Sequence, residues 1–273
     1  MSLPPATHPG AVHLSVASLA RSLDYYEHAI GLQIRANDGA TAHLGAGGDD
    51  LLVLTEQPGA RPADGFAGLF HFALLVPDRV DLARWLLHAV RDQVQLTGLS
   101  DHAVSEALYL RDPDGHGIEI YADRPRAQWE GRVAELLTTL PLDTDDLVAT
   151  VGDPREATFD GMAAGTVMGH VHLRVADVAA TNAFWADTFG FEKMAVLGAQ
   201  ATMLAAGGYH HHLGANTWES RGAGQAPEDR ARLLEFELAG ADAGASDRLV
   251  AAGHEPDADG RFRDPSGNAF RLV

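Results

Sequence analysis

The feature that most constrains this chain is that it repeats itself. Residues 12–34, VHLSVASLARSLDYYEHAIGLQI, and residues 171–193, VHLRVADVAATNAFWADTFGFEK, share one pattern from end to end. Each opens with a short alternating stretch, whose side chains point to opposite faces of a sheet. A polar turn follows, then an amphipathic helical stretch that Gly31 stops in one copy and Gly190 in the other. A second pair lies downstream. LYLRDPDGHGIEIY (108–121) and FRDPSGNAFRLV (262–273) each read as strand, Asp-Pro-x-Gly turn and strand. Two further starts, FHFALLVPDRVDLARWLLHAV (70–90) and LLEFELAGADAGASDRLVAAG (233–253), run from strand into helix. The chain thus reads as four strand–helix–strands units, near 10–56, 68–122, 168–215 and 231–273. A linker over 123–167 carries a short helix at 129–140 and a Pro/Asp-rich segment. One helix per several strands predicts an α+β fold rather than a doubly wound sheet.

A length of 273 residues allows two such halves. Twenty basic against 38 acidic residues, a net charge of −18, argues against nucleic acid or an anionic membrane as partner. With no cysteine, any metal site must use nitrogen and oxygen ligands. The opening MSLPPATHPG has neither the basic nor the apolar region of a signal peptide, and no apolar run is long enough to span a bilayer. A cytoplasmic protein is expected.

The four units, with openings such as GHVHLRVADV and closings such as DPDGHGIEIY and DPSGNAFRLV, resemble the vicinal oxygen chelate superfamily over nearly the whole chain. GLFHFALLVP, SEALYLRDPDGHGIEIY and TVMGHVHLRV with GGYHHHLGANTW are most similar to its bacterial two-domain catechol 2,3-dioxygenase-like members. The resemblance implies four βαβββ modules paired into two cupped mixed sheets, with an N-terminal pair in 1–122 and a C-terminal pair in 168–273. Its fold signature is far more specific than its reaction, since isomerases, dioxygenases and resistance proteins share it.

The resemblance also implies metal ligands early in a module's first strand and late in its last. In module two these positions are His71 and Glu119; in module three they are His170 and, in the later stretch, His212. Module one offers Ala11 and an apolar strand, while module four offers Leu234 or Glu235 and ends in Arg271. Pairing modules one with two and three with four would split the ligand set. Pairing two with three and one with four would gather it, so a single good metal site favours the second arrangement. Two histidines and a carboxylate form a facial triad suited to Fe(II), with Mn(II), Ni(II) or Zn(II) as alternatives. Neutral imidazoles with one carboxylate leave a net positive ion able to polarise a diolate.

The run His210–His211–His212 raises a question of direction. If it is a strand, His210 and His212 share a face and His211 points away. His212 is then a fourth ligand or an acid/base, and His210 an acid/base, a supporting partner or an alternative ligand, whereas His211 is set aside. Tyr209, Asn216, Trp218, Tyr121 and His172 are candidates to line a pocket for a planar aromatic diol, and His102 and Ser105 to touch it. The leading expectation is an extradiol-type ring-cleaving dioxygenase that takes a catechol-like substrate and O2. A glyoxalase-type lyase or isomerase, and a non-catalytic small-molecule binder, are the alternatives. Homo-oligomerisation is left open.

Overall fold

The four modules start alike because each polar turn supplies a helix cap. The side chains of Ser18, Asp78, Asp177 and Asp242 accept the backbone N–H three residues on, at Arg21, Asp81, Ala180 and Ala245. The helices so begun cover Leu19–Tyr25, Arg79–Arg91, Val178–Asn182 and Ala243–Ala251. In modules one and three the last turn widens to π-helix, over Tyr26–Ile30 and Ala183–Phe189, before the glycine stop. Gly31 and Gly190 take φ of +88° and +114°, a region open to glycine at little cost.

This computed structural model describes residues 2–273, and its strands gather into two large mixed sheets. The nine-stranded sheet joins modules two and three through the antiparallel pair Gly68–Leu75 and Val167–Arg174. The seven-stranded sheet joins modules one and four through His8–Val16 and Leu233–Ala239. Each sheet therefore takes one module from 1–122 and one from 168–273, the pairing that gathers the expected ligands. Fully buried Trp85, Trp185, Phe189, Phe236 and Phe270 anchor one apolar core shared by both halves.

The Asp-Pro-x-Gly turns act as rivets. Asp112 Oδ1 accepts the N–H groups of Asp114 and His116, and Asp264 Oδ1 accepts those of Ser266 and Asn268. Asp112 Oδ2 also accepts the Tyr26 hydroxyl at 2.9 Å, which ties module two to module one. In the linker, the continuous helix expected at 129–140 is broken. A 3-10 turn at Arg126–Gln128 and one helical turn at Val133–Leu136 flank Gly131, whose φ of +71° interrupts the helix. Leu140–Pro141 then pairs with Asp101 and Ser100 at the edge of the nine-stranded sheet.

In the seven-stranded sheet, the position that the repeat aligns with Glu119 carries Arg271. Its guanidinium grips the buried Glu235 carboxylate at 3.2–3.3 Å, with His13 at 3.5 Å on the same carboxylate. The seven-stranded sheet thus holds an arginine–carboxylate pair where the nine-stranded sheet holds two histidines and a carboxylate.

Candidate metal centre

Sheet register brings three side chains to one point. Ala73, near the end of Gly68–Leu75, stands level with Glu119 on one neighbouring strand and His170 on the other. His71 lies two residues earlier on Ala73's strand and so on the same face. The small Ala73 leaves the space between Glu119 and His170 open. His71 Nε2 is 3.0 Å and His170 Nε2 3.1 Å from Glu119 Oε2, and the two nitrogens are 3.3 Å apart. All three residues are buried, and among the described residues they are the cluster able to hold a metal ion.

Three Lewis bases this close require a shared proton or cation between them. Donors about 2.1 Å from an octahedral ion, at right angles, lie ~3.0 Å apart, which matches the triangle found here. The donor set therefore fits a divalent ion. Burial pushes the Glu119 carboxyl up, but the His170 and His71 imidazoles outweigh it and hold the group well below its usual range. Burial lowers His170 to about 4 against the pull of Glu119. At neutral pH both are thus in their ligating forms. His170 Nδ1 has no hydrogen-bond partner, so this side chain lacks the outer support that ligating histidines usually have.

The histidine run does not form a strand, and this overturns its alternation. Gly207 and Gly208 turn with φ of +61° and +66°, and the strand resumes only at Leu213. His212 consequently points back into its own loop, where its Nδ1 accepts the Ala206 N–H at 3.2 Å and its ring stacks on Tyr209. It is not in the ligand cluster. His210 is fully buried behind the site, bonded through Nε2 to Asp123. The residue that reaches the cavity is His211, its ring centroid 4.1 Å from that of His170.

The cavity in front of the cluster measures about 760 Å³. His71, Glu119, His172 and His211 form its floor, and Phe70, Leu137, Val196, Leu197, Met203 and Trp218 give it apolar walls. Of the expected lining residues, His172 and Trp218 are in place. Tyr121 shares Glu119's face of the sheet but, like Tyr209, does not line the cavity, the two being bonded hydroxyl to hydroxyl at 2.8 Å, and Asn216 is buried in its strand. His172 fits because Gly214 stands beside it; a Cβ there would come 2.7 Å from His172 Nδ1. His102 lines the cavity, whereas Ser105 is buried in its strand.

Tyr109, another cavity residue, was missed as well. Tyr109 pairs across its hairpin with Glu119, and its hydroxyl lies 2.7 Å from His102 Nε2, whose ring is fixed at Nδ1 by the Thr138 carbonyl. Burial, with Glu119 alongside, raises its phenol well above the usual value. The signal was available: a hairpin closing on the 112–115 turn places 109 opposite 119.

Comparison with known proteins shows the family and the fold. The sequence profile of the Glyoxalase/Bleomycin resistance protein/Dioxygenase superfamily matches residues 8–120. A catechol-2,3-dioxygenase of Bacillus subtilis (strain 168) is 41% identical over 235 residues, covering 83% of this chain and 80% of that protein. Among solved structures, glyoxalase I of Zea mays superposes with a TM-score of 0.58 at 17% identity, covering 98% of this chain and 92% of the maize chain. The cppA protein of Streptococcus pneumoniae TIGR4 gives 0.55 at 16% identity, with 98% and 97% covered. These two share the fold.

Proposed function

Because the chain belongs to the Glyoxalase/Bleomycin resistance protein/Dioxygenase superfamily, we propose that it is an extradiol-type dioxygenase that cleaves a catechol-like substrate with O2, with Fe(II) held by His71, Glu119 and His170. The observation that carries this is the triangle of Nε2, Nε2 and Oε2 atoms 3.0–3.3 Å apart, two of whose residues, His71 and Glu119, line an apolar-walled cavity. Three protein donors leave half of an octahedral shell free, enough for both diol oxygens and O2; with His212 directed elsewhere, the four-ligand isomerase reading loses its fourth ligand. Bound iron would supply a positive charge for the diolate and redox access to O2.

The chain's own residues do the rest. Phe70 and Trp218, with ring centroids 5.3 Å apart, and His172 offer aromatic surfaces for a planar ring. Leu137, Val196 and Leu197 close off the walls and limit water. His211 stands to accept a proton from a diol hydroxyl, and Tyr109 to bond to an oxygen of the substrate. The wall's arginine, Arg111, is already engaged by Asp64 at 2.9 Å and the Gly115 carbonyl at 3.1 Å. The cavity therefore suits a catechol with an alkyl or aryl substituent better than one with a carboxylate.

The test is anaerobically prepared, untagged protein, reconstituted with Fe(II) and offered alkyl-, aryl- and carboxyl-substituted catechols, with O2 uptake and the coloured ring-opened product recorded. Turnover of the apolar catechols with KM at least tenfold below the carboxylated ones is expected. Iron-loaded protein that consumes no O2 with any of them would end this reading.

A further inference from the structure

Behind the cavity runs a chain of hydrogen bonds that ends at a solvent-reaching carboxylate. Asp123 Oδ1 is 2.8 Å from His210 Nε2, and His210 Nδ1 is 2.8 Å from His211 Nδ1. The Tyr209 hydroxyl also donates to Asp123 Oδ1, at 3.2 Å, and is itself bonded to the Tyr121 hydroxyl. His210 is fully buried, while the Asp123 side chain is 25% exposed.

Donor and acceptor roles follow link by link. A carboxylate only accepts, so His210 must carry its proton on Nε2. A neutral imidazole has one N–H, which leaves His210 Nδ1 as an acceptor. The proton of the next bond must then sit on His211 Nδ1. His211 Nε2 is left as a lone pair on the cavity side of the ring. We propose that Asp123 and His210 are positioning residues that fix His211 as its Nδ1–H tautomer, so that the cavity presents an acceptor and selects a ligand bringing a hydroxyl proton. The opposite arrangement, with Nε2–H toward the cavity, requires His210 to be an imidazolium. That would set a buried cation beside the rings of His170 and His211, at centroid distances of 6.3 and 4.8 Å. The tautomer stands independently of the reaction; only the identity of the hydroxyl donor, a catechol still carrying a proton, rests on the dioxygenase reading.

The experiment is a long-range 1H–15N correlation spectrum of metal-free protein labelled at histidine nitrogens, which separates pyrrole-type from pyridine-type nitrogens at each ring. Wild type is expected to show His211 with Nδ1 protonated and Nε2 bare. Asp123→Leu should convert His211 to a mixture of tautomers and weaken binding of an uncleavable diol analogue to the Zn(II)-loaded protein by three- to tenfold, with metal content unchanged. Asp123→Asn retains an acceptor oxygen and should restore both. A wild-type spectrum with His211 protonated at Nε2 overturns the proposal, as does an unchanged His211 signature in Asp123→Leu. Absence of catechol turnover beside the expected spectrum would strike at the dioxygenase reading and leave the tautomer assignment intact.

Discussion

Adding a divalent ion to metal-free protein should raise its melting temperature by an amount that can be worked out in advance. An ion that binds the native state alone stabilises it by RT ln(1 + [M]/Kd), about 2.7 kcal/mol at a hundredfold excess over Kd. Unfolding 273 residues at ~2.1 cal/mol/K each gives an entropy near 570 cal/mol/K, so the midpoint should rise by about 5 °C. His71→Ala removes one of three donors whose atoms lie 3.0–3.3 Å apart. If affinity falls by about a hundredfold, the same ion concentration yields RT ln 2, ~0.4 kcal/mol, and a shift under 1 °C. Glu119→Gln removes the charge and should behave alike. His212→Ala should keep the full shift, because its Nδ1 is bonded to the Ala206 N–H and not to the cluster. The assay is a thermal melt of each protein with and without Fe(II) under anaerobic conditions, repeated with Mn(II), Ni(II) and Zn(II). Only the difference within each protein is read, so a variant's own loss of stability does not confuse it. A wild type indifferent to all four ions would refute the reasoning. So would a shift that survives in His71→Ala and disappears in His212→Ala.

Two further expectations concern stability. A Cβ at Gly117 would sit 2.1 Å from the Phe70 carbonyl oxygen, so Gly117→Ala must part the strands that carry Glu119 and His71; a loss of about 3 kcal/mol in urea unfolding is expected. Gly98→Ala, whose nearest neighbour is 3.7 Å away, serves as control, and equal losses in the two would show that strand contact is not the cause. Burial raises the Asp264 carboxyl to about 6, so the native state binds its proton more tightly than the unfolded chain does. The sign follows: stability contributed by this group is full below about pH 4 and falls as pH rises to 6, by at most ~3 kcal/mol. Asp264→Asn should remove that slope, and parallel stability–pH curves for variant and wild type would contradict the assignment.

The repeat made the modules and the glycine stops legible, whereas His71, Glu119 and His170 were singled out by the family resemblance, and the clustering of their donor atoms comes from the sheet register. Each of the three sits inside a strand, where alternation sets the face, although register shifts interrupt the strand of His170. The errors fell where it lapses. Alternation was applied across 207–212, but two left-handed glycines end the strand there, so His211 took the place given to His210 and His212. Tyr209 and Tyr121 looked like pocket residues by type, yet their hydroxyls serve each other and Asp123. The partners that settle such cases come from strands far apart in sequence, 86 residues in the case of Tyr209 and Asp123.

Arg271 gives the seven-stranded half a property its counterpart lacks. A guanidinium bonded to Glu235 is a cation on a tether: it has no dissociation constant, no chelator removes it, and no competing metal displaces it. Electrostatic closure of that half is therefore set once, at translation. The nine-stranded half offers two histidines and a carboxylate instead, and any cation there would come from outside. Loss of the ion would then disarm one concave face and leave the other as a standing scaffold, on which an emptied site could be refilled without refolding the whole chain.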